Sequence, residues 1–221
     1  MIVTIDGPAG AGKSSAARLL AQRLGFAFLD TGAMYRAVTL AAIRAVCNVA
    51  DRPALSSLLD AMRLEMPAGK VLLDGEDVTA TIRTPEVTRA SAAIADSPIV
   101  RRRLADWQRA IAAGQNIVCE GRDQGTIVFP DAGCKFFLVA QPEERARRRH
   151  RELVARGETI ALESVLESQK QRDERDAARG IAPMVPAGDA IILDTTALTL
   201  DEVIATMEEE VRRRMPPKDG R

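Results

Sequence analysis

The chain has 221 residues, 46% of them hydrophobic, and its 31 basic side chains are matched by 31 acidic ones. That length suits one medium α/β domain with a small insertion, and the apolar share is enough to bury a core. The charge balance argues against a global field for nucleic acid or anionic membrane, and the longest apolar runs are too short to span a bilayer.

Arginine greatly outnumbers lysine. A planar guanidinium fork suits phosphate and carboxylate, but genomic base composition explains the excess equally well before positions are considered. Cys47, Cys119 and Cys134 form no Cys-x-x-Cys pair and His150 is the only histidine, which speaks against a zinc site. The cysteines are expected to be small core residues in a reducing compartment. The sequence opens directly on a strand with no charged leader, so a soluble cytoplasmic protein is expected.

In chain order, Ile2–Ile5 reads as a strand and Asp6–Gly12 as a glycine-rich turn. Lys13–Leu24 reads as a helix stopped by Gly25. A strand over Phe26–Leu29 leads through Asp30-Thr31-Gly32 to a helix from about Ala33 to Val46. The rhythm breaks between Pro53 and Ser91. Short strands are expected at Arg63–Met66 and Lys70–Leu73, joined by Pro67-Ala68-Gly69, with a tight turn at Asp74–Asp77. A helix follows from Ser97-Pro98 to about Ala113. Strands are then predicted at Ile117–Cys119, Lys135–Val139 and Ile191–Leu193. Pro142 opens one helix, a charged helical stretch runs from Leu162 to about Arg179, and Thr199-Leu-Asp-Glu202 is a capping box. Strand–turn–helix alternation predicts an α/β fold, a parallel sheet flanked by helices and interrupted by a hairpin-containing insertion.

Gly7-Pro8-Ala9-Gly10-Ala11-Gly12-Lys13-Ser14 matches G-x-x-x-x-G-K-[ST] between a predicted strand and a predicted helix. Glycines let backbone N–H groups approach phosphates, and the following helix N-terminus, which carries Ser15, favours negative charge. Lys13 can reach the β- and γ-phosphates of a nucleotide, and Ser14 can offer its hydroxyl to Mg²⁺. No [NT]-K-x-D sequence occurs, which argues against a GTPase, and the chain lacks the bulk of a motor ATPase. A kinase for a small acceptor remains.

Thr31 and Arg36 lie beyond the second strand, where ligands gather in α/β sheets, although a helix cap and a surface arginine would explain them as well. Glu120-Gly121-Arg122-Asp123-Gln124-Gly125 follows the third strand. There an arginine for phosphate and a carboxylate for a pyrimidine amino group could serve one ligand. Arg145, Arg148 and Arg149 share a helix face, as do Arg172, Arg175 and Arg179, with Asp173 and Asp176 between them. Each stripe reads either as a solvated face or as a phosphate-facing one.

These residues together resemble the bacterial cytidylate kinases. The matching segments are Ile5-Asp6-Gly7-Pro8 with the phosphate loop, Leu29 to Arg36, Gly75 to Val78 with Ile82-Arg83-Thr84, Gly121 to Ala132, Gln171 to Asp176 and Ala182 to Pro186. They occur in order from residue 2 to about residue 205. The resemblance implies an adenylate-kinase-like core over 1–52 and 93–215, an acceptor-binding insertion over 53–92, a short helical lid over about 155–182 and a disordered tail at 216–221. It further implies that Thr31, Tyr35, Arg36, Arg101, Arg122, Asp123, Asp176 and Arg179 hold CMP or dCMP. Asp123, Asp176 and Arg179 would surround base and sugar, with Arg36 and Arg122 on the phosphate. Arg145, Arg148 and Arg149 would face ATP, Arg172 and Arg175 would close from the lid, and Glu120 would support Mg²⁺ or its waters. Ser91-Ala92 departs from the family pattern by one position, which puts one base contact in question, and 66–71 is shorter than in some relatives. A monomer acting on small molecules is expected. A kinase for UMP, AMP or a hydroxy acid, and a nucleotide-sensing regulator without turnover, are the competing readings.

Overall fold

The computed structural model describes residues 1–67, 69–155 and 157–215. In chain order the elements are β1 (Ile2–Asp6), α1 (Lys13–Leu24), β2 (Ala27–Asp30), α2 (Thr31–Arg44), α3 (Arg52–Ala61), β3 (Leu64–Glu65), β4 (Leu72–Leu73) and β5 (Glu76–Asp77). After a 3₁₀ turn at Thr81–Arg83 come α4 (Pro85–Asp96), α5 (Pro98–Ala112) and β6 (Ile117–Glu120). A π-helical turn at Gln124–Val128 then precedes β7 (Cys134–Val139), α6 (Pro142–Ala155), α7 (Leu162–Ala178), β8 (Ile191–Asp194) and α8 (Leu200–Arg214).

The chain divides into two compact units, Met1–Phe28 with Gln115–Arg221, and Leu29–Gly114. The larger sheet is ordered β2-β6-β1-β7-β8, and all of it but the end of β2, Leu29–Asp30, belongs to the first unit. Its strands β6, β1, β7 and β8 pair in parallel, with Val3 opposite Val118 and Cys134, and Phe136 opposite Ile191. Val3, Ile5, Val118, Phe136 and Leu138 are buried together with Leu20 of α1 and Val203, Met207 and Val211 of α8. A central parallel strand has helices on both faces, so β1 and β7 are apolar runs rather than alternating ones. Gly25 ends α1 in the left-handed conformation, donating its N–H to the carbonyls of Ala21 and Gln22. The Thr199–Glu202 capping box opens α8 as the sequence predicts.

The second unit contains an antiparallel sheet ordered β3-β4-β5, together with α2 to α5. Leu55, Leu59, Ile82, Val87, Ile94 and Leu104 are buried in it. Residues 53–92 lie within this unit.

Several local expectations needed correction. The helix after β2 begins at Thr31 because the Asp30 carboxylate caps it, accepting from the Ala33 N–H at 2.8 Å. No helix was expected between Pro53 and the first hairpin strand, yet α3 spans Arg52–Ala61 with Pro53 at its start. The proline sits in the first turn of α3, where no N–H is required, behind the Asp51 cap. Asp74–Asp77 is only half a turn: Asp74 and Gly75 take positive φ, whereas Glu76 and Asp77 form the third strand, β5. Cys119 and Cys134 are core residues, but Cys47 is only half-buried beyond the end of α2. Ala68 of the expected hairpin turn and the expected 216–221 tail lie outside the described residues.

Candidate active site

In the first unit, β1 delivers the chain into the phosphate loop and α1 takes it out. Gly7 has φ 133°, and a Cβ there would lie 2.1 Å from the Leu138 carbonyl oxygen, so the loop packs on β7 only with glycine at this position. Gly12 has φ 88° and forms the N-cap of α1, which leaves the helix N-terminus without a side-chain cap and open to an anion.

Lys13 is buried, and its Nζ donates to the Pro8 carbonyl at 2.7 Å across the loop. Burial holds its ammonium well below the ordinary lysine value, and Arg122 adds to this while Glu120 acts the other way. Ser14 Oγ donates to Glu120 Oε2 at 2.7 Å, which joins the start of α1 to the end of β6. A hydroxyl and a carboxylate at a phosphate loop are hard oxygen donors, so Ser14 and Glu120 fit Mg²⁺. Ser15 is exposed beside them on α1.

The three arginines of α6 share a face but not a role. Arg145 is buried; its Nη1 donates to the Ala9 carbonyl at 3.1 Å and also pairs with Asp173 of α7, while its Nε donates to the Ala140 carbonyl. Arg148 donates from Nη1 and Nη2 to Oγ1 and the carbonyl of Thr195, at 3.0 and 2.6 Å. Arg149 turns to Glu152 on its own helix at 2.9 Å.

Asp176, buried on α7, accepts from Arg122 Nε at 3.2 Å and from Arg179 Nη2 at 2.7 Å. Burial raises its carboxyl, but Arg122, Arg172 and Arg179 outweigh that and hold it below the usual aspartate value. Asp123 is also buried, and its carbonyl accepts from the Val128 N–H at 3.3 Å, the first i→i+5 link of the π-helical turn, as well as from the Ile127 N–H at 2.9 Å. Arg172 and Arg175 are exposed on α7, and the charge of Arg172 reaches both Lys13 and Asp176.

The second unit gathers its own cluster around Asp30. Arg36 and Arg83 donate to Asp30 Oδ2 at 3.3 and 3.1 Å, beside the buried Thr31. The Arg101 guanidinium lies 5.7 Å from the centre of the Tyr35 ring and donates to the Ala95 carbonyl at 3.0 Å. Ser91 spends its hydroxyl on the Thr88 carbonyl of its own helix.

Sequence reasoning missed Asp6, Asp30, Arg83 and Thr195. Asp6 ends β1, and its two oxygens accept from the Gln124 and Gly125 N–H groups at 2.9 and 2.8 Å. Burial first, with Asp123 adding to it, pushes its carboxyl up to about 6, against the two hydrogen bonds. A carboxylate adjoining a glycine-rich turn was the available signal. Thr195 gave none, because its partners lie far away in sequence.

The cytidylate kinase family model matches residues 3–213. A cytidylate kinase of Rhodopirellula baltica is 50% identical over 213 residues, covering 96% of this chain and 91% of its own. One from Pelotomaculum thermopropionicum is 50% identical over 207 residues, covering 91% of this chain and 92% of its own. An uncharacterised protein of Eubacterium ventriosum, 14% identical, shares the fold with a TM-score of 0.51 over 96% of this chain and 98% of its own. With the whole described architecture matched, the chain belongs to the cytidylate kinase family.

Proposed function

We propose that the protein transfers the γ-phosphoryl group of ATP to CMP or dCMP, giving ADP and CDP or dCDP. The observation that carries this reading is the buried Asp176 carboxylate between Arg122 and Arg179, in the same unit as the Lys13 phosphate loop. A carboxylate held ionised by arginines suits a donor-bearing base edge, and the loop suits a triphosphate.

No side-chain nucleophile is needed. An oxygen of the acceptor phosphate attacks the γ-phosphorus in line, the new P–O bond forms as the bond to the β-bridging oxygen breaks, and ADP leaves. Lys13 lies where cationic stabilisation of the transferring oxygens is required, and Arg148 and Arg172 add to the field. Arg145 acts through the loop carbonyl it holds, Arg149 is a peripheral cation, and Arg175 belongs with Arg172 on the lid at about 155–182. Ser14 and Glu120 would hold Mg²⁺, directly or through water; bound Mg²⁺ neutralises the β- and γ-phosphate oxygens. On the acceptor side, Asp123, Asp176 and Arg179 address base and sugar, and Arg122 addresses phosphate. In the second unit Thr31, Tyr35, Arg36 and Arg101 are the acceptor-binding candidates, and 53–92 forms the acceptor-binding insertion.

The balanced charge and the small-molecule chemistry favour a cytoplasmic monomer with no role for nucleic acid or membrane. No helix among the described residues is long and apolar enough to cross a membrane. The test is ADP release with CMP, dCMP, UMP or AMP as acceptor. Turnover confined to the cytidine nucleotides supports the reading, and preference for AMP or UMP would overturn it.

A further inference from the structure

We propose that Thr195 is a positioning residue that fixes both the phosphate loop and Arg148 for ATP. This rests on the reading of the loop as the ATP site. Thr195 follows β8, is 2% exposed, and is anchored by its N–H to the Val139 carbonyl at 2.8 Å, the next rung of the β7–β8 ladder. Its Oγ1 lies 3.1 Å from the Ala11 carbonyl oxygen and 3.1 Å from that of Val139, and it accepts from Arg148 Nη1 at 3.0 Å. A hydroxyl has one proton to give and lone pairs to receive, so a single group serves the loop backbone and the arginine together.

The geometry gives this contact a consequence. Arg148 Nη1 lies 3.9 Å from where a Cβ on Gly12 would sit, beside the first turn of α1. Arg148 is bidentate on Thr195, and its Nε donates to Glu144 at 3.1 Å, which fixes the orientation of the fork. A loop carbonyl hydrogen-bonded to Thr195 keeps its lone pairs engaged and away from a bound phosphate. On the other side of the loop, Arg145 does the same for the Ala9 carbonyl. The loop is thus braced at Ala9 by the Arg145 guanidinium of α6 and at Ala11 by the Thr195 hydroxyl at the end of β8, and the second brace also holds Arg148. Fixing these groups before ATP arrives removes reorganisation from the binding step.

Thr195→Val keeps the shape and removes the hydroxyl, whereas Thr195→Ser keeps the hydroxyl. Calorimetric titration with Mg-ATP in the absence of acceptor reads the brace directly. Thr195→Val is expected to weaken ATP binding about tenfold, since buried partners are left unpaired, and Thr195→Ser to stay within about threefold of wild type. The double variant Thr195→Val/Arg148→Gln should bind more weakly than Arg148→Gln alone, because the brace on Ala11 is lost as well, but by less than the sum of the two single losses, because the Thr195–Arg148 contact is counted in both. Thermal melts accompany each titration, and Thr195→Ala replaces the valine variant should that fail to fold. Wild-type affinity in Thr195→Val, an equal loss in Thr195→Ser, or fully additive losses in the double variant would overturn the proposal. Failure of the wild-type protein to bind ATP would instead remove the ATP reading itself, and the brace with it.

Discussion

Ser14 at the start of α1 donates its hydroxyl to Glu120 at the end of β6, at 2.7 Å across 106 residues of sequence. The phosphate loop and the loop after β6, which begins with Gly121-Arg122-Asp123, are therefore joined at the point where a hard cation would bind. Glu120→Gln keeps the hydrogen-bonding shape and removes the charge. The Mg²⁺ concentration giving half-maximal rate at fixed ATP should rise about tenfold, the lower end of what supporting ligands contribute to metal affinity. An unchanged Mg²⁺ titration would remove Glu120 from the metal site.

Lys13→Ala removes the buried ammonium held by the Pro8 carbonyl. Turnover should fall by about 10²- to 10³-fold, the usual cost of deleting one group aimed at developing charge. Steady-state kinetics at saturating ATP checks this, and turnover near wild type would contradict the role given to Lys13.

Asp176→Ala breaks two hydrogen bonds and leaves Arg122 and Arg179 without their common carboxylate. The KM for CMP should rise roughly 30- to 150-fold, corresponding to about 2–3 kcal/mol for charged hydrogen bonds, while ATP affinity changes little. Calorimetry with each nucleotide separates the two effects. Equal losses would place Asp176 outside the base-binding side.

Asp6 supplies a pH dependence. Its carboxyl is raised from 3.8 to about 6, so in this interval the folded chain keeps a proton that the unfolded chain has released. The contribution favours folding fully below about pH 4 and is lost as the pH rises through about 6, a change of about 3 kcal/mol. Asp123 raises the carboxyl and Lys13 lowers it, so both set the position of the transition. Asp6→Asn removes the titration. Urea unfolding between pH 4 and 7 should therefore show wild type losing about 3 kcal/mol relative to Asp6→Asn. A difference independent of pH would mean that Asp6 does not titrate in this range.

The phosphate loop was legible in the sequence because its constraints are local. Gly7 and Gly12 occupy backbone conformations that a side chain resists, and Lys13-Ser14 must follow directly on the helix. That the larger sheet is parallel followed from apolar strands alternating with helices, but the strand order β6-β1-β7 did not. The partners were not legible, because they are tertiary. Arg122 meets Asp176 across 54 residues and Thr195 meets Ala11 across 184, with no spacing rule to connect them. Helical periodicity correctly placed Arg145, Arg148 and Arg149 on one face, yet their ends diverge because Asp173, Thr195 and Glu152 each hold one. Helix α3 went unread although an Asp51 cap followed by Pro53 in the first turn is a local helix-start signal.

Transfer of a label from ATP identifies phosphoryl donor and acceptor in one experiment. The protein is incubated with Mg²⁺, CMP and ATP radiolabelled at the γ-phosphate, and the products are separated by chromatography. Label is expected in the β-phosphate of CDP, appearing in step with ADP. Label found only in inorganic phosphate, or in no nucleotide diphosphate, would contradict the proposed transfer.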